Sequence, residues 1–184
     1  MFRKIRENIG KTILKQRLRN HKRSKNIFNF TNSQKVGVLF KTDSFTDFEY
    51  VRKFLQYLTE NENKVIALCY VNSKRIPDYY LLKKGFNYFS RNDLTVFFIP
   101  DNPVVDDFIN MPFDILINLS LFYCLPVHYI TSLSKAKFKI GPFIENHDDC
   151  YDFMIDIQKD RTIKNLIDNI KHYIPVITGA EVYE

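Results

Sequence analysis

A chain of 184 residues that is 45% hydrophobic is long enough for one compact domain with an extension, and this apolar content excludes disorder throughout. Residues 1–26 hold ten Lys or Arg and one acid, a net charge of +9, so the remaining residues carry −3 of the total of +6. The three cysteines show no CxxC spacing, and the sequence has neither an apolar run of transmembrane length nor a signal-peptide core. These features predict a cytoplasmic protein without a transmembrane segment.

The first predicted element is a basic amphipathic helix over residues 1–26, called the arm below. Phe2, Ile5, Ile9 and Ile13 recur at helical spacing, and cations fill the other faces. Such a charge asymmetry indicates a polyanionic partner, either RNA or the ribosome, or else an anionic membrane surface. A solvated helix face without a partner is the remaining interpretation. The predicted polyanion-binding residues are Arg3, Lys4, Arg6, Lys11, Lys15, Arg17, Arg19, Lys22, Arg23 and Lys25.

A linker over residues 27–34 is predicted to lead into an α/β domain over residues 35–174, with residues 175–184 as a tail. Short apolar runs alternate with helical patterns, which predicts a single Rossmann-like layered domain with a mainly parallel sheet. Thr46 and Glu49 have the spacing of a helix capping box. Buried strands of one sheet are expected at 36–40, 65–71, 115–119 and 153–157. Further strands are expected at 86–89, 95–99 and 137–141. Helices are expected at 46–61, 102–111, 126–136 and 159–174.

Polar residues at the carboxyl ends of two predicted strands indicate a ligand rim, because ligands of parallel sheets bind there. The candidate rim residues are Lys41, Asp43, Ser44, Asn118 and Ser120, whereas Asp114 lies at the opposite end of its strand. No two of the five glycines are close enough for a Rossmann or P-loop turn, so no nucleotide cofactor is predicted. A phosphate could still meet a helix N-terminus directly.

Other candidate residues are better explained by packing or solvation. The loop "ENHDDC" (145–150) could bind a divalent cation, but its spacing matches no zinc or calcium pattern, and a polar turn is preferred. His128 and Cys124 are expected to be packed, so replacing Cys124 with Ser should leave function intact. The aromatic and basic residues of segment 78–92 could stack on bases, yet core packing is preferred. No metal ligand or catalytic residue is assigned.

The segments "FINMPFDILINLS", "LPVHYITSLSKAKFKIGP" and "YDFMIDI" resemble the signature of a family of small bacterial proteins of unknown function, common in Bacteroidetes. This resemblance covers most of residues 36–174 and implies no activity. Residues 113–141, a strand, a helix and "SKAKFKIG", are also similar to the amino-terminal half of heptosyltransferase-type glycosyltransferases. The chain lacks the length for the second half, which binds the nucleotide sugar in those enzymes.

Three hypotheses for function follow, and the sequence predicts no oligomeric state. The first is a non-enzymatic binding protein whose arm binds structured RNA or the ribosome. Salt should abolish this binding. Neutralising Arg17, Arg19, Lys22 and Arg23 should weaken the binding more than replacing Ile5 and Ile9 with Ser. The second is a peripheral protein of envelope metabolism at the inner membrane. The third is a small enzyme that uses the strand-end rim.

Overall fold

The computed structural model describes residues 2–41, 44–81, 85–147 and 149–177, which form one six-stranded parallel sheet flanked by helices on both faces. The strand order is β3-β2-β1-β4-β5-β6, and every neighbouring pair is parallel. This confirms the predicted Rossmann-like α/β class. The strands are β1 (Lys35–Lys41), β2 (Lys64–Val71), β3 (Phe86–Ser90), β4 (Ile115–Asn118), β5 (Phe138–Pro142) and β6 (Phe153–Ile155).

The helices bury apolar stripes against the two faces of the sheet. One core cluster joins α2 and α6 to alternate residues of β1, including Val38, while the other joins α1, α4 and α5 to residues on the opposite face, including Leu39. This alternation follows from the two-residue period of a strand. The helices are α1 (Phe2–Leu18), α2 (Phe45–Glu60), α3 (Asp78–Leu81), α4 (Pro103–Asn110), α5 (Leu125–Leu133) and α6 (Ile163–Tyr173), with 3-10 turns at Arg91–Asp93 and Ile174–Val176.

The four strands predicted at 36–40, 65–71, 115–119 and 153–157 all belong to this sheet. The first and third are completely buried, whereas β6 is an edge strand and leaves Met154 38% exposed. The strand predicted at 95–99 is wrong. Residues 94–100 form a tight loop in which Phe98 has a φ of 61° and donates its backbone N–H to Thr95, a conformation that an extended strand excludes.

The arm is shorter as a helix than predicted, and it packs on the domain. Helix α1 ends at Leu18, eight residues before the predicted end, and it lies against α5. Leu14 is buried in the core, and Gly10 lies so close to Phe97 that a Cβ would overlap the carbonyl oxygen of that residue. The absence of a side chain at position 10 therefore allows the close approach.

The segment predicted as a linker is also packed. Phe30 is 2% exposed and makes edge-to-face contacts with Phe54 and Tyr57 of α2, with ring centroids 6.5 and 6.2 Å apart. Ser33 is buried as well and donates its hydroxyl to the side-chain oxygen of Asn63 at 2.7 Å. Phe30 and Ser33 thus anchor this segment on the domain, although Thr31, Asn32 and Gln34 remain exposed.

The predictions for the starts of the helices were partly correct. Helix α2 is capped by Ser44, whose hydroxyl accepts the backbone N–H of Asp47, so the capping box expected from Thr46 and Glu49 is wrong. Helix α4 begins at Pro103 as expected, with Asn102 as its cap. Among the residues that the structure describes, no helix has both the length and the apolar character needed to cross a membrane.

Candidate functional site

A crevice of about 910 Å³ opens at the carboxyl ends of the strands, where the sheet changes its winding direction. From β1 the chain continues to β2 and β3 on one side, and β4 to β6 follow on the other. In open parallel sheets this switch point is where ligands bind, because the flanking loops diverge there. Lys41 at the end of β1 and Ser120 just after β4 both line the crevice.

Positive charge dominates the walls of this crevice. Its described lining includes five cationic side chains and only two acidic ones, Glu7 and Asp47, and burial raises the pKa of the Asp47 carboxyl. Cations that converge on a partly enclosed space create a local positive potential, which favours an anionic ligand. The five cationic residues are Arg3, Arg6, Lys41, Lys74 and Arg91.

The arm supplies one wall of the crevice. Arg6 donates from Nε to the carbonyl oxygen of Val96 at 2.5 Å. The guanidinium groups of Arg3 and Arg6 lie 6.0 and 5.0 Å from the centroid of the Phe98 ring. These contacts hold two arm cations in the wall of the crevice.

Aromatic side chains form part of the same lining. Tyr70, Phe98, Phe122 and Tyr123 all contact the space. Phe122 is 63% exposed, which is a large exposure for a phenylalanine, and the Arg161 guanidinium lies 5.3 Å from its ring centroid. The crevice therefore combines cations with flat apolar surfaces.

The predicted rim residues divide into two groups. Lys41, Ser44 and Ser120 line the crevice, whereas Asn118 does not, and Asp43 lies outside the described residues. Asn118 is 3% exposed and donates to the Tyr151 hydroxyl at 2.6 Å.

Two of these polar side chains hold the end of β4 in place. The side-chain oxygen of Asn118 accepts the backbone N–H of Ser120 at 2.9 Å, and the Ser120 hydroxyl accepts the backbone N–H of Lys41 at 3.0 Å. Their polarity is therefore explained by hydrogen bonds within the fold.

Asp114 stabilises the opposite end of the sheet, as its position in the sequence predicted. Its carboxylate accepts the backbone N–H groups of Gln34 and Lys35 at 3.0 and 3.1 Å and lies 3.0 Å from the Lys137 ammonium. Burial acts to raise the pKa of this carboxyl, but these hydrogen bonds and the Lys137 charge outweigh it and lower the pKa. Asp114 joins three segments at the bottom of the sheet.

Two crevice cations were not predicted as rim residues: Lys74 was missed, and Arg91 was considered only as part of the aromatic and basic segment 78–92. They follow the carboxyl ends of β2 and β3, and the Arg91 side chain donates to Asn72 at 2.9 Å. The available signal was a cation just after each strand, which becomes meaningful only when both strands are known to lie on the same side of β1. No glycine is among the described residues that line the crevice, so any phosphate there must be held by side chains and the α2 N-terminus.

The predicted polyanion-binding cations of the arm are mostly at the surface. Nine of the ten are exposed, the exception being Arg23, which donates to the carbonyl oxygens of Ala136 and Lys137. Arg17 also has a contact within the protein, a hydrogen bond to the Tyr129 hydroxyl. These two cations therefore anchor the arm, whereas Arg3 and Arg6 turn toward the crevice.

The remaining candidates are buried or partly buried. Cys124 is half-buried and lines the crevice, and the His128 side chain is 13% exposed, with burial lowering the pKa of its imidazole. Burial raises the pKa of the Cys150 thiol to about 12. In the aromatic segment, Tyr80 and Phe89 are fully packed, as preferred, while Tyr79 is 43% exposed.

Comparison with known proteins places the chain in a family whose function is unknown. The chain belongs to the family described as "Family of unknown function (DUF6913)", whose profile matches residues 6–177. No curated protein matches the chain. Among solved structures it is similar to "E. coli heptosyltransferase WaaC with ADP", at 11% sequence identity and a TM-score of 0.47, over 80% of this chain and 50% of that one. The chain thus spans about half the length of that structure.

Proposed function

We propose that this protein is a binding protein for RNA, whose phosphates contact the cations of the arm and of the crevice. The observation that carries the proposal is the convergence of Arg3 and Arg6 from α1 with Lys41, Lys74 and Arg91 from three strand ends around one space. Phosphate contacts by Lys and Arg release condensed counterions and supply most of the affinity for nucleic acid.

The arm extends this charged surface along the outside of the domain. A helix of 17 residues is about 25 Å long, which is the span of several nucleotides. Lys4, Lys11, Lys15 and Arg19 are exposed along it, and Arg3 and Arg6 connect it to the crevice. A strand of RNA could therefore run from the crevice onto the arm and stay close to cationic side chains along the whole path.

The aromatic lining suits the bases of such a ligand. Proteins that bind single strands pair a cationic groove with exposed aromatic rings, because every base has a face on which to stack. Phe122, exposed at the crevice with a cation beside its ring, has the required position. A free nucleotide would use the same groups, so the test below includes both ligands.

A second candidate, an anionic membrane surface, is favoured by one observation. Phe2, Ile5 and Ile9 of α1 are 83%, 49% and 39% exposed, although they belong to the apolar stripe of the helix. An amphipathic helix with exposed apolar and basic residues can lie in the bilayer interface. A peripheral protein at the inner membrane would bury these three side chains in lipid.

The experiment is a fluorescence anisotropy titration of a labelled single-stranded oligoribonucleotide, with uridine monophosphate as competitor, at several salt concentrations. The test variant is Lys74→Gln with Arg91→Gln. The matched control is Lys53→Gln with Lys159→Gln, two exposed cations that do not line the crevice. We expect the test variant to bind at least tenfold more weakly and the slope of log affinity against log salt to fall by about 1.4, while the control stays within twofold of the unmodified protein.

The competitor and a vesicle assay separate the alternatives. Efficient displacement by the monophosphate would identify a nucleotide-sized ligand, and weak displacement would identify an RNA strand. The RNA proposal is wrong if the unmodified protein shows no binding at low salt. Salt-resistant binding to anionic vesicles that Ile5→Ser with Ile9→Ser abolishes would then establish the membrane candidate.

A further inference from the structure

Three side chains of different chemistry meet between α5 and the loop that joins β5 to β6. His128 comes from the middle of α5, and Asp149 and Cys150 come from the loop between β5 and β6. The His128 Nδ1 lies 3.7 Å from the Cys150 Sγ, and the His128 Nε2 lies 3.9 Å from an Asp149 carboxylate oxygen. One donor atom from each residue can be chosen so that all three lie within 4.8 Å of one another.

The distance between the Cys150 Sγ and the His128 Nδ1 agrees with that between two ligands of a tetrahedral zinc ion. With Zn–S of about 2.3 Å and Zn–N of about 2.0 Å, two ligand atoms at the tetrahedral angle are roughly 3.5 Å apart. The observed separation of Sγ and Nδ1, 3.7 Å, is close to that value. The Asp149 side chain is 78% exposed, so its carboxylate can rotate toward the other two donors without disturbing the core.

The donor set also selects the type of ion. A thiolate sulfur together with an imidazole nitrogen favours zinc and related transition metals, whereas magnesium and calcium prefer ligands that are all oxygen. A site with three protein donors leaves one position of a tetrahedral ion for water. The three donors come from a helix and a loop that are distant in sequence. The spacing within "ENHDDC" alone therefore could not indicate this cluster.

The site has a route to solvent. Asp149 and Cys150 both line a second cavity of about 470 Å³, whose other walls include His21 and four cationic residues, Lys22, Arg23, Lys25 and Lys139. The His128 side chain is mostly buried and does not line this cavity. An ion entering through this cavity would meet the exposed carboxylate first and the buried thiol and imidazole next.

We propose that His128, Asp149 and Cys150 form a binding site for Zn²⁺, with water at the fourth position. The site lies outside the crevice: none of its three residues contributes to the lining of that space. It is therefore independent of the RNA proposal, and failure of one leaves the other intact.

The test uses Co²⁺ as a spectroscopic substitute for Zn²⁺ on the full chain, purified in the presence of a chelator that is then removed. We expect a thiolate-to-cobalt charge-transfer band in the near ultraviolet and visible bands of tetrahedral intensity, all abolished by one equivalent of Zn²⁺. Cys150→Ser should remove the charge-transfer band. His128→Gln and Asp149→Asn should each weaken binding at least tenfold.

Matched variants control for nonspecific binding and for misfolding. Cys124→Ser, His172→Gln and Asp156→Asn replace residues of the same types outside the cluster, and each should leave the titration unchanged. Asp149 is exposed, so loss of affinity in Asp149→Asn cannot arise from an unfolded core. Absence of the charge-transfer band from the unmodified chain, or its persistence in Cys150→Ser, would overturn the proposal.

Discussion

The Arg23 guanidinium and the Asp152 carboxylate form an ion pair at 2.5 Å, with only 9% and 15% of their side chains exposed. Arg23 follows α1 and Asp152 precedes β6, so the pair joins the amino-terminal segment to the edge of the sheet. The same carboxylate accepts the backbone N–H of Lys139 at 2.9 Å. An arm cation predicted to bind a polyanion is thus part of the framework of the domain.

Replacing Arg23 with Gln should lower the free energy of unfolding by about 1 to 3 kcal/mol, because a largely buried carboxylate loses its main partner. Urea denaturation at neutral pH measures the change. Lys25→Gln is the matched control, since Lys25 also approaches Asp152 but its side chain is 72% exposed. We expect less than about 1 kcal/mol for the control. Equal losses in the two variants would show that the buried geometry is unimportant.

Replacing Gly10 with Ala should release the arm from the domain. The new Cβ would overlap the Phe97 carbonyl and the Leu125 side chain, at a cost of about 1 to 3 kcal/mol to docking. Because the arm then opens more often, trypsin should cleave after Lys11 and Lys15 roughly tenfold faster or more. Thr12→Ala, at an exposed neighbouring position, serves as control. Alanine favours an isolated helix by about 1 kcal/mol over glycine, so slower cleavage would mean that helix propensity outweighs the clash.

Removing the charge of Asp114 should alter stability in a pH-dependent manner. The pKa of this carboxyl is lowered in the folded protein, so its contribution is present above its ordinary value of 3.8 and is lost as pH falls through the lower folded pKa. Asp114→Asn should therefore destabilise the protein by about 1 to 2 kcal/mol at pH 7. Denaturation curves at pH 7 and near pH 2.5 test this, and a difference that persists undiminished in acid would contradict it.

Lys139 should make stability depend on pH in a second, more alkaline window. It is 1% exposed and donates to the Ser132 carbonyl oxygen at 2.9 Å, and burial, with the nearby Arg23 charge, lowers the pKa of its ammonium to about 7. Cys150 and Asp152 act to raise this pKa, and Lys25 lowers it further. The unfolded chain therefore binds the proton more tightly between pH 7 and 10.5, so stability due to this group rises with pH across that window.

Lys139→Met removes this penalty while keeping a long apolar side chain. We expect the variant to be more stable than the unmodified protein by roughly 1 to 4 kcal/mol at pH 6, and the advantage to shrink by pH 10. Thermal unfolding followed at both pH values measures the effect. A variant that is less stable at pH 6 would show that the hydrogen bond to Ser132 outweighs the burial of charge.

The sequence predicted the sheet because its signals there are local. β1 and β4 are short apolar runs with turn or helix signals on either side, and Asn102 with Pro103 marks the start of α4 without any tertiary information. The strand expected at 95–99 failed because Val96 and Phe98 have high β propensity, while the positive φ of Phe98 is imposed by a loop that closes on Ile99.

The crevice was predicted less completely, since it depends on strand order. Lys41 and Ser44 could be identified because they follow the first strand directly. Lys74 and Arg91 could not, because nothing local shows that β2 and β3 lie on the same side of β1. The docking of the arm escaped prediction for a similar reason: the contact of Gly10 involves a residue 87 positions away in the chain.

Helix α1 is synthesised before every surface on which it packs. Its contacts are with the loop around Phe97 and with α5, so the docking surface of the arm is incomplete until residue 133 has been made. Until then the arm lacks part of the surface on which it packs, and contacts of such sequence separation form late in folding. Closure of α1 over α5 is therefore a marker that folding has reached α5, because only a chain with its α5 region in place can bury Leu14.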